Sequence, residues 1–202
     1  MQDKKIFITS GPVWVSIDDV RIISNRSSGQ LGRILAKQLT QKGAKVDLLE
    51  GPIEFNKFFK KFKNELKKKY EIVIHAAAVS DYRLKKPFQQ KLSSRLKNFK
   101  LELVPTPKII NVVKKVAPHV FLVGFKLEST LNRKSVHQKC LRLFRDAQCD
   151  LVVANCVHGK KYQAYILNKQ DILTKVSSRE ELAQKLVKII LCSDFIFSKA
   201  VI

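Results

Sequence analysis

Lys5-Ile6-Phe7-Ile8-Thr9-Ser10-Gly11-Pro12, then Ser27-Ser28-Gly29-Gln30-Leu31-Gly32, then Gly43-Ala44-Lys45-Val46-Asp47-Leu48-Leu49 is the stretch that decides the architecture. The first segment is a short apolar run closed by Gly-Pro, which predicts a buried strand ending in a tight turn. A polar loop then leads into a helix predicted from about Ser28 to Gln41. Gly43 takes the glycine position beyond its C-terminus, and a second strand, Ala44 to Leu49, stops at Gly51-Pro52. Strand, helix, strand is the opening unit of a parallel sheet.

The alternation continues. Phe55, Phe58, Phe59, Phe62 and Leu66 recur at helical spacing with lysines between them, a helix laying an aromatic stripe on a sheet. Ile72 to Ala78 reads as the third strand and runs into Val79-Ser80-Asp81-Tyr82-Arg83. Residues 84–98 are polar and lysine-rich with little periodicity, which predicts a flexible flap. Pro107 opens a helix to Val116, followed by a strand from Val120 to Phe125, a helix from about Asn132 to Arg145 and a strand from Leu151 to Ala154. Ala164–Leu167 and Ile172–Val176 read as strands, and Ser178-Arg179-Glu180-Glu181 is a capping box. The expected fold is α/β: a Rossmann-like, doubly wound, mostly parallel sheet with helices on both faces. One domain is expected over residues 1–191, with 192–202 as a tail. All seven glycines fall at or near expected junctions. Ligands of such sheets bind at the carboxyl ends of strands, where Gly11, Ala76 to Asp81 and Phe125 lie.

With 45% apolar residues among 202, the chain can bury a substantial core. Lys plus Arg number 39 against 17 acids, a net charge of +22, but the lysines are spread over helix faces without an RNA-binding aromatic signature or a zinc finger. Solvated faces are therefore preferred to a nucleic-acid groove, although a field of this sign attracts polyanionic small substrates. No apolar run approaches the roughly 20 residues that span a bilayer, and no leader-like segment opens the sequence. A cytoplasmic protein without membrane or nucleic-acid partners is expected. Cys140, Cys149, Cys156 and Cys192 form no C-x-x-C pair and read as reduced packing residues. His75, His119, His137 and His158 show no ligand spacing, so no metal site is expected, and His75 reads as the end of a buried strand.

The chemistry concentrates in Ile17 to Gly32. Amides at a helix start bind phosphate, Gly29 allows close approach, and Ser27 and Ser28 add hydroxyls. Helix capping explains the serines and glycine equally well, yet it does not explain Asn25 and Arg21 just upstream. An ordinary dinucleotide fingerprint would put its first glycine against the helix, whereas a long loop separates Gly11 from it here. Only Glu50 could serve a ribose in the alternative reading, an NAD(P)-dependent short-chain reductase.

The segments Thr9-Ser10-Gly11-Pro12, Ile17-Asp18 through Val20-Arg21, Ser24-Asn25-Arg26-Ser27-Ser28-Gly29, Ala76 to Arg83, Lys91-Leu92-Ser93-Ser94, Thr106-Pro107-Lys108-Ile109, Val123 to Glu128 and Asp150 to Asn155 stand in the order of one family. In them the chain resembles phosphopantothenate-cysteine ligase in its free-standing form. The resemblance implies that a nucleoside triphosphate activates phosphopantothenate to an acyl-nucleotide and that the cysteine amine then forms the amide. CTP is the expected nucleotide and ATP the alternative, with magnesium carried by the triphosphate, and a homodimer is implied. It assigns Asn25 and Lys91 to catalysis, with Arg21, Asn25 and Ala78 on phosphopantothenate. Nucleotide contacts fall to Gly11, Ser27, Ser28, Gly29, Ala77, Asp81, Lys91, Pro107, Lys108, Ile109, Phe125, Lys139 and Arg142. Three departures stand out. Val13-Trp14-Val15-Ser16 replaces a polar stretch, Lys91-Leu92-Ser93-Ser94 replaces a lysine-rich motif, and Lys108 replaces an aspartate.

Overall fold

Ile6 and Ile8 point to one side of their strand and Phe7 to the other, and all three are buried, so this strand is covered on both faces. The computed structural model describes residues 2–95, 97–159 and 161–192. Along the chain run β1 (Lys5–Ser10), β2 (Pro12–Ser16), β3 (Ile22–Ile23), α1 (Gln30–Gln41), β4 (Lys45–Glu50), β5 (Ile53–Glu54) and α2 (Phe55–Leu66). There follow β6 (Ile72–His75), β7 (Ala78–Val79), β8 (Tyr82–Leu84), β9 (Leu103–Pro105) and a 3₁₀ turn over Ile109–Val112 that continues into α3 (Val113–Val116). The last part holds β10 (Phe121–Leu127), α4 (Val136–Asp146), β11 (Leu151–His158), β12 (Lys161–Leu167), β13 (Ile172–Val176) and α5 (Arg179–Cys192).

The main sheet has the order β13-β12-β11-β10-β6-β1-β4. From β4 to β11 every pairing is parallel, while β12 and β13 are antiparallel additions. Taken in chain order the parallel strands lie 2-1-3-4-5, a doubly wound arrangement that reverses between β1 and β6. Phe58 and Phe62 of α2 pack with Phe7, Val73, Leu122 and Phe144 of the α3/α4 side on one face. Leu35 and Leu39 of α1 and Leu182 and Leu186 of α5 pack on Ile6, Ile8, Ile74 and Val123 on the other. Each of these large side chains contributes about 1.5–3 kcal/mol by leaving water.

The expected loop after Gly11 contains β2, whose Val-Trp-Val-Ser pattern buries Val13 and Val15 in alternation. The expected strand Ile72–Ala78 stops at His75, and Ala78–Val79 becomes a separate strand. Both differences have one cause: β1, β4 and β6 bend together at their carboxyl ends and continue into a second sheet of β3, β2, β5 and β7. The register survives the bend, since Ser10 faces Glu50 and Val13 faces Ile53, while Thr9 faces His75 and Pro12 faces Ala78. The backbones approach so closely there that a Cβ on Gly51 would lie 2.0 Å from the Pro12 carbonyl oxygen, and one on Gly11 would lie 2.8 Å from that of Gly51.

Other expectations shift by a few residues. α1 starts at Gln30 rather than Ser28, α4 at Val136 rather than Asn132, and Pro107 precedes a 3₁₀ turn instead of opening one continuous helix. Gly43, at φ 86°, closes α1 with the amides of Gly43 and Ala44 donating to the Thr40 and Leu39 carbonyls, and the Glu181 amide donates to Ser178 Oγ as a capping box requires. Gly32 and Gly124 lie inside α1 and β10, not at junctions, where a Cβ would meet Ser10 and Cys149. Cys140, Cys149 and Cys156 are buried as packing residues, but Cys192 is exposed at the end of α5. Of the expected tail, residues 193–202 lie outside the described residues.

This packing sets two expectations for stability. Gly51→Ala should lower unfolding stability in urea by about 1–3 kcal/mol, because the added methyl meets backbone that cannot rotate away. His75 shares a 2.7 Å hydrogen bond with the Thr9 hydroxyl, and burial pushes its imidazole down to about 4 from 6.5. Below pH 6.5 the unfolded chain takes a proton that folded His75 refuses, so stability should fall between pH 6.5 and 4, by up to about 3 kcal/mol from this group. His75→Gln should flatten that slope in denaturation measured from pH 7 to 4.

Candidate functional site

At the carboxyl edge of the sheet, the three bending strands lead into β2, β5 and β7 and the segments around them. Buried Ser80 ties these together: its amide and hydroxyl both reach the Val13 carbonyl at 3.1 Å, and the hydroxyl also lies 3.2 Å from the Ile23 carbonyl. Two residues beyond Ile23, the Asn25 Nδ2 donates to the Val79 carbonyl at 2.9 Å. The Asn25 side chain is therefore held against the Ala76–Asp81 segment while remaining exposed. On the other side of Ser80, the Thr106 hydroxyl donates to its carbonyl at 2.6 Å and the Thr106 amide to that of Asp81 at 2.9 Å. That delivers Pro107 and Lys108, and Lys108 Nζ pairs with Asp81 Oδ1 at 2.5 Å. Asp81, expected among the nucleotide contacts, is thus already occupied by Lys108.

At the start of α1, Gly29 is itself the N-cap residue, in the left-handed region at φ 71°. Ser27 Oγ accepts from the Gly29 amide at 3.4 Å and Ser28 Oγ from that of Gln30 at 3.3 Å, so the serines order the loop rather than cap the second or third helical amide. The Ser10 hydroxyl donates to the Gly29 carbonyl at 3.0 Å and moors the helix start beside Gly11. A Cβ on Gly29 would lie 2.2 Å from Glu50 Oε1. Arg33 neutralises that carboxylate at 2.5 Å and donates to the Ser28 carbonyl at 2.9 Å. Glu50, the only acid offered to a ribose by the reductase alternative, is engaged in this pair.

Arg21 Nη1 pairs with Asp18 Oδ2 at 2.8 Å, and Nη2 donates to the Leu92 carbonyl at 3.2 Å. Burial pushes the Asp18 carboxyl up, but the amides of Leu92, Val20 and Arg21 and the Arg21 guanidinium outweigh it and hold it at about 2. Lys91 is exposed beside that contact and makes no hydrogen bond or ion pair among the described residues. The expected flap lies between the paired strands β8 and β9 and is fastened at Leu92 and at Phe88, whose amide donates to the Ile17 carbonyl.

Further along the edge, Ala77 and Ala78 are half-buried, and the Ala78 amide is taken by the Gly11 carbonyl at 2.9 Å. Ile109 is buried in the core, which leaves its side chain unable to face a ligand. Phe125 is half-buried against the α1/α5 core, as an ordinary core aromatic would be. Lys139 is held by Glu128 at 3.0 Å and by the Thr130 carbonyl at 2.8 Å, while Arg142 is exposed on α4. Glu128 also receives Lys126 at 3.2 Å; burial pushes its carboxyl up, and the two lysines bring it below its usual range. Asp18, Ser80, Thr106 and Glu128 are the residues that the sequence reading left out of the site. Each stands in a matched motif segment, but its role is a contact to a distant carbonyl, amide or cation that the chain order conceals.

A family model described as the DNA/pantothenate metabolism flavoprotein C-terminal domain matches residues 1–193. The chain is 36% identical over 204 residues to the coenzyme A biosynthesis bifunctional protein CoaBC of Thermococcus kodakarensis, covering 92% of this chain and 50% of that protein. It is 30% identical to the protein of the same name from Borreliella burgdorferi, covering 94% and 53%. The chain thus spans about half the length of these curated relatives. A DNA/pantothenate metabolism flavoprotein from Streptococcus pneumoniae superposes with TM-score 0.81 at 27% identity, over 94% of this chain and 99% of that one. A Cab2 variant in complex with phosphopantothenate-cysteine shares the fold with TM-score 0.75 at 19% identity, over 92% and 85%. By sequence and by fold, the chain belongs to the family of the DNA/pantothenate metabolism flavoprotein C-terminal domain.

Proposed function

We propose that this chain is a phosphopantothenate-cysteine ligase acting in coenzyme A synthesis, with CTP as its nucleotide and ATP as the alternative. The observation that carries the reading is the 2.9 Å contact of the Asn25 amide with Val79, which joins the Asn-Arg-Ser-Ser-Gly and Ala-Ala-Ala-Val-Ser-Asp segments into one site. Relatives named for coenzyme A biosynthesis support the same substrate class.

In this reading a carboxylate oxygen of phosphopantothenate attacks the α-phosphorus, the bond to the β-phosphate breaks, and pyrophosphate leaves. The cysteine amine then attacks the acyl carbon, the nucleoside monophosphate leaves, and the amine proton passes to solvent. Negative charge spreads over the α-phosphate and acyl oxygen in the first step, so preplaced donors and cations lower its barrier. Asn25 holds the acyl-nucleotide through its amide, Arg21 holds phosphopantothenate, and Lys91 approaches the triphosphate from its exposed position. The amides at the start of α1, with Ser27, Ser28 and Gly29, receive phosphate oxygens. Asp81 meets the base after exchanging its exposed pair with Lys108, an exchange that costs little because exposed ion pairs are worth about 0–1 kcal/mol. Magnesium carried by the triphosphate would neutralise part of its charge, and no residue of the chain is assigned to hold it. Exposed Val20 and Ile22 flank Arg21 and support a homodimer contact beside the site, and the cytoplasm is the compartment proposed.

The test is pyrophosphate release with phosphopantothenate, cysteine and either CTP or ATP. Turnover is expected with CTP, and its absence with both nucleotides overturns the reading. Asn25→Ala should lower turnover by about 100-fold, the usual cost of deleting one preorganised donor. Wild-type turnover in that variant would refute the role assigned to Asn25.

A further inference from the structure

From Lys85 to Lys100 every described residue is exposed except Leu92, which is half-buried. Both main-chain polar groups of Leu92 are captured by the loop before β3. Its amide donates to Asp18 Oδ2 at 3.1 Å, and its carbonyl accepts from Arg21 Nη2 at 3.2 Å. The Asp18 side chain is fully buried, and each of its oxygens serves two donors: Oδ1 takes the amides of Val20 at 2.9 Å and Arg21 at 2.7 Å, and Oδ2 takes Leu92 and Arg21 Nη1. One carboxylate therefore orders its own loop, orients a guanidinium and fastens a segment more than seventy residues away.

We propose that Asp18 is a positioning residue that clasps the exposed segment at Leu92, and through it sets Lys91 over the site while holding Arg21 ready for an anion. The guanidinium has five N–H donors, so Asp18 and Leu92 leave others for a substrate oxygen. The acid's place cannot be taken by an amide of the same shape. An Asp18→Asn change would put an N–H₂ group where one carboxylate oxygen receives two donors, so that donor faces donor at a buried position. The roles of Lys91 and Arg21 rest on the ligase reading; the clasp itself does not.

Two arms separate these. In the first, the substrate-free protein is cut with trypsin and cleavage at Arg95 and Lys97 is followed by mass spectrometry. Asp18→Asn should speed those cuts about ten-fold or more, because charge-assisted bonds hold the segment closed and cleavage follows the open population. Leu92→Pro, which deletes the amide within the exposed segment, should do the same even if Asp18→Asn folds poorly. Leu92→Ala keeps both main-chain groups and should be cut at the wild-type rate. Wild-type cleavage in Leu92→Pro, or a Leu92→Ala rate as fast as that of Leu92→Pro, overturns the clasp. In the second arm, Asp18→Asn, assayed well below its own thermal midpoint, should raise KM for phosphopantothenate and for the nucleotide, whereas an unchanged KM for both overturns the positioning role. Slow cleavage of the wild type with no turnover by any form would refute the ligase reading and leave the clasp standing.

Discussion

The structure depends on a bend that β1, β4 and β6 make together. Three parallel strands leave the main sheet at their carboxyl ends without losing register, and at the turn two backbones come within a distance that excludes a Cβ at Gly11 and Gly51. Without that bend β2 would stay in the plane of the sheet, and neither Val13 nor Ile23 would meet Ser80. A doubly wound sheet ordinarily opens a crevice where its strand order reverses. Here the strands continue into a second sheet, and the loop after β3 carries Asn25 against Val79 of the Ala76–Asp81 segment.

Charge is organised at this edge in a graded way. Asp18 is buried and shares Arg21; Glu128 is largely buried between two lysines; Asp81 and Lys108 face each other in solvent. A buried carboxylate stripped of its partners is costly, so the Asp18 contacts form permanent structure. An exposed pair is held weakly and exchanges readily for a ligand's charges. The net charge of +22 therefore says less about partners than the distinction between cations already committed, such as Lys139, and those without an ion pair among the described residues, such as Lys91.

Much of the fold was legible because its signals are local. Apolar runs closed by Gly-Pro marked β1 and β4, the phenylalanine spacing marked α2, and the Ser178–Glu181 box marked α5. β2 is legible in principle, since Val13 and Val15 alternate with Trp14 and Ser16, yet Gly11 and Pro12 directly before it signal the end of a strand, and that local signal overrides the alternation. In the site, Asn25 and the Ala76–Asp81 segment meet through the contact of Asn25 with Val79. Ile109 illustrates the opposite case: a residue inside a matched motif whose side chain belongs to the core.

By itself, the sequence determined the alternation of strands and helices, the two buried faces of the sheet and the family, because these follow from periodicity, turn residues and motif order along the chain. Tertiary structure alone decided that three strands bend as one, that Ser80 joins two carbonyls from distant segments, and that Leu92 is held by Asp18 and Arg21. The physical reason is that such contacts draw their energy from groups up to seventy-four residues apart, where the burial and direction of each polar atom are set by packing rather than by its neighbours in sequence.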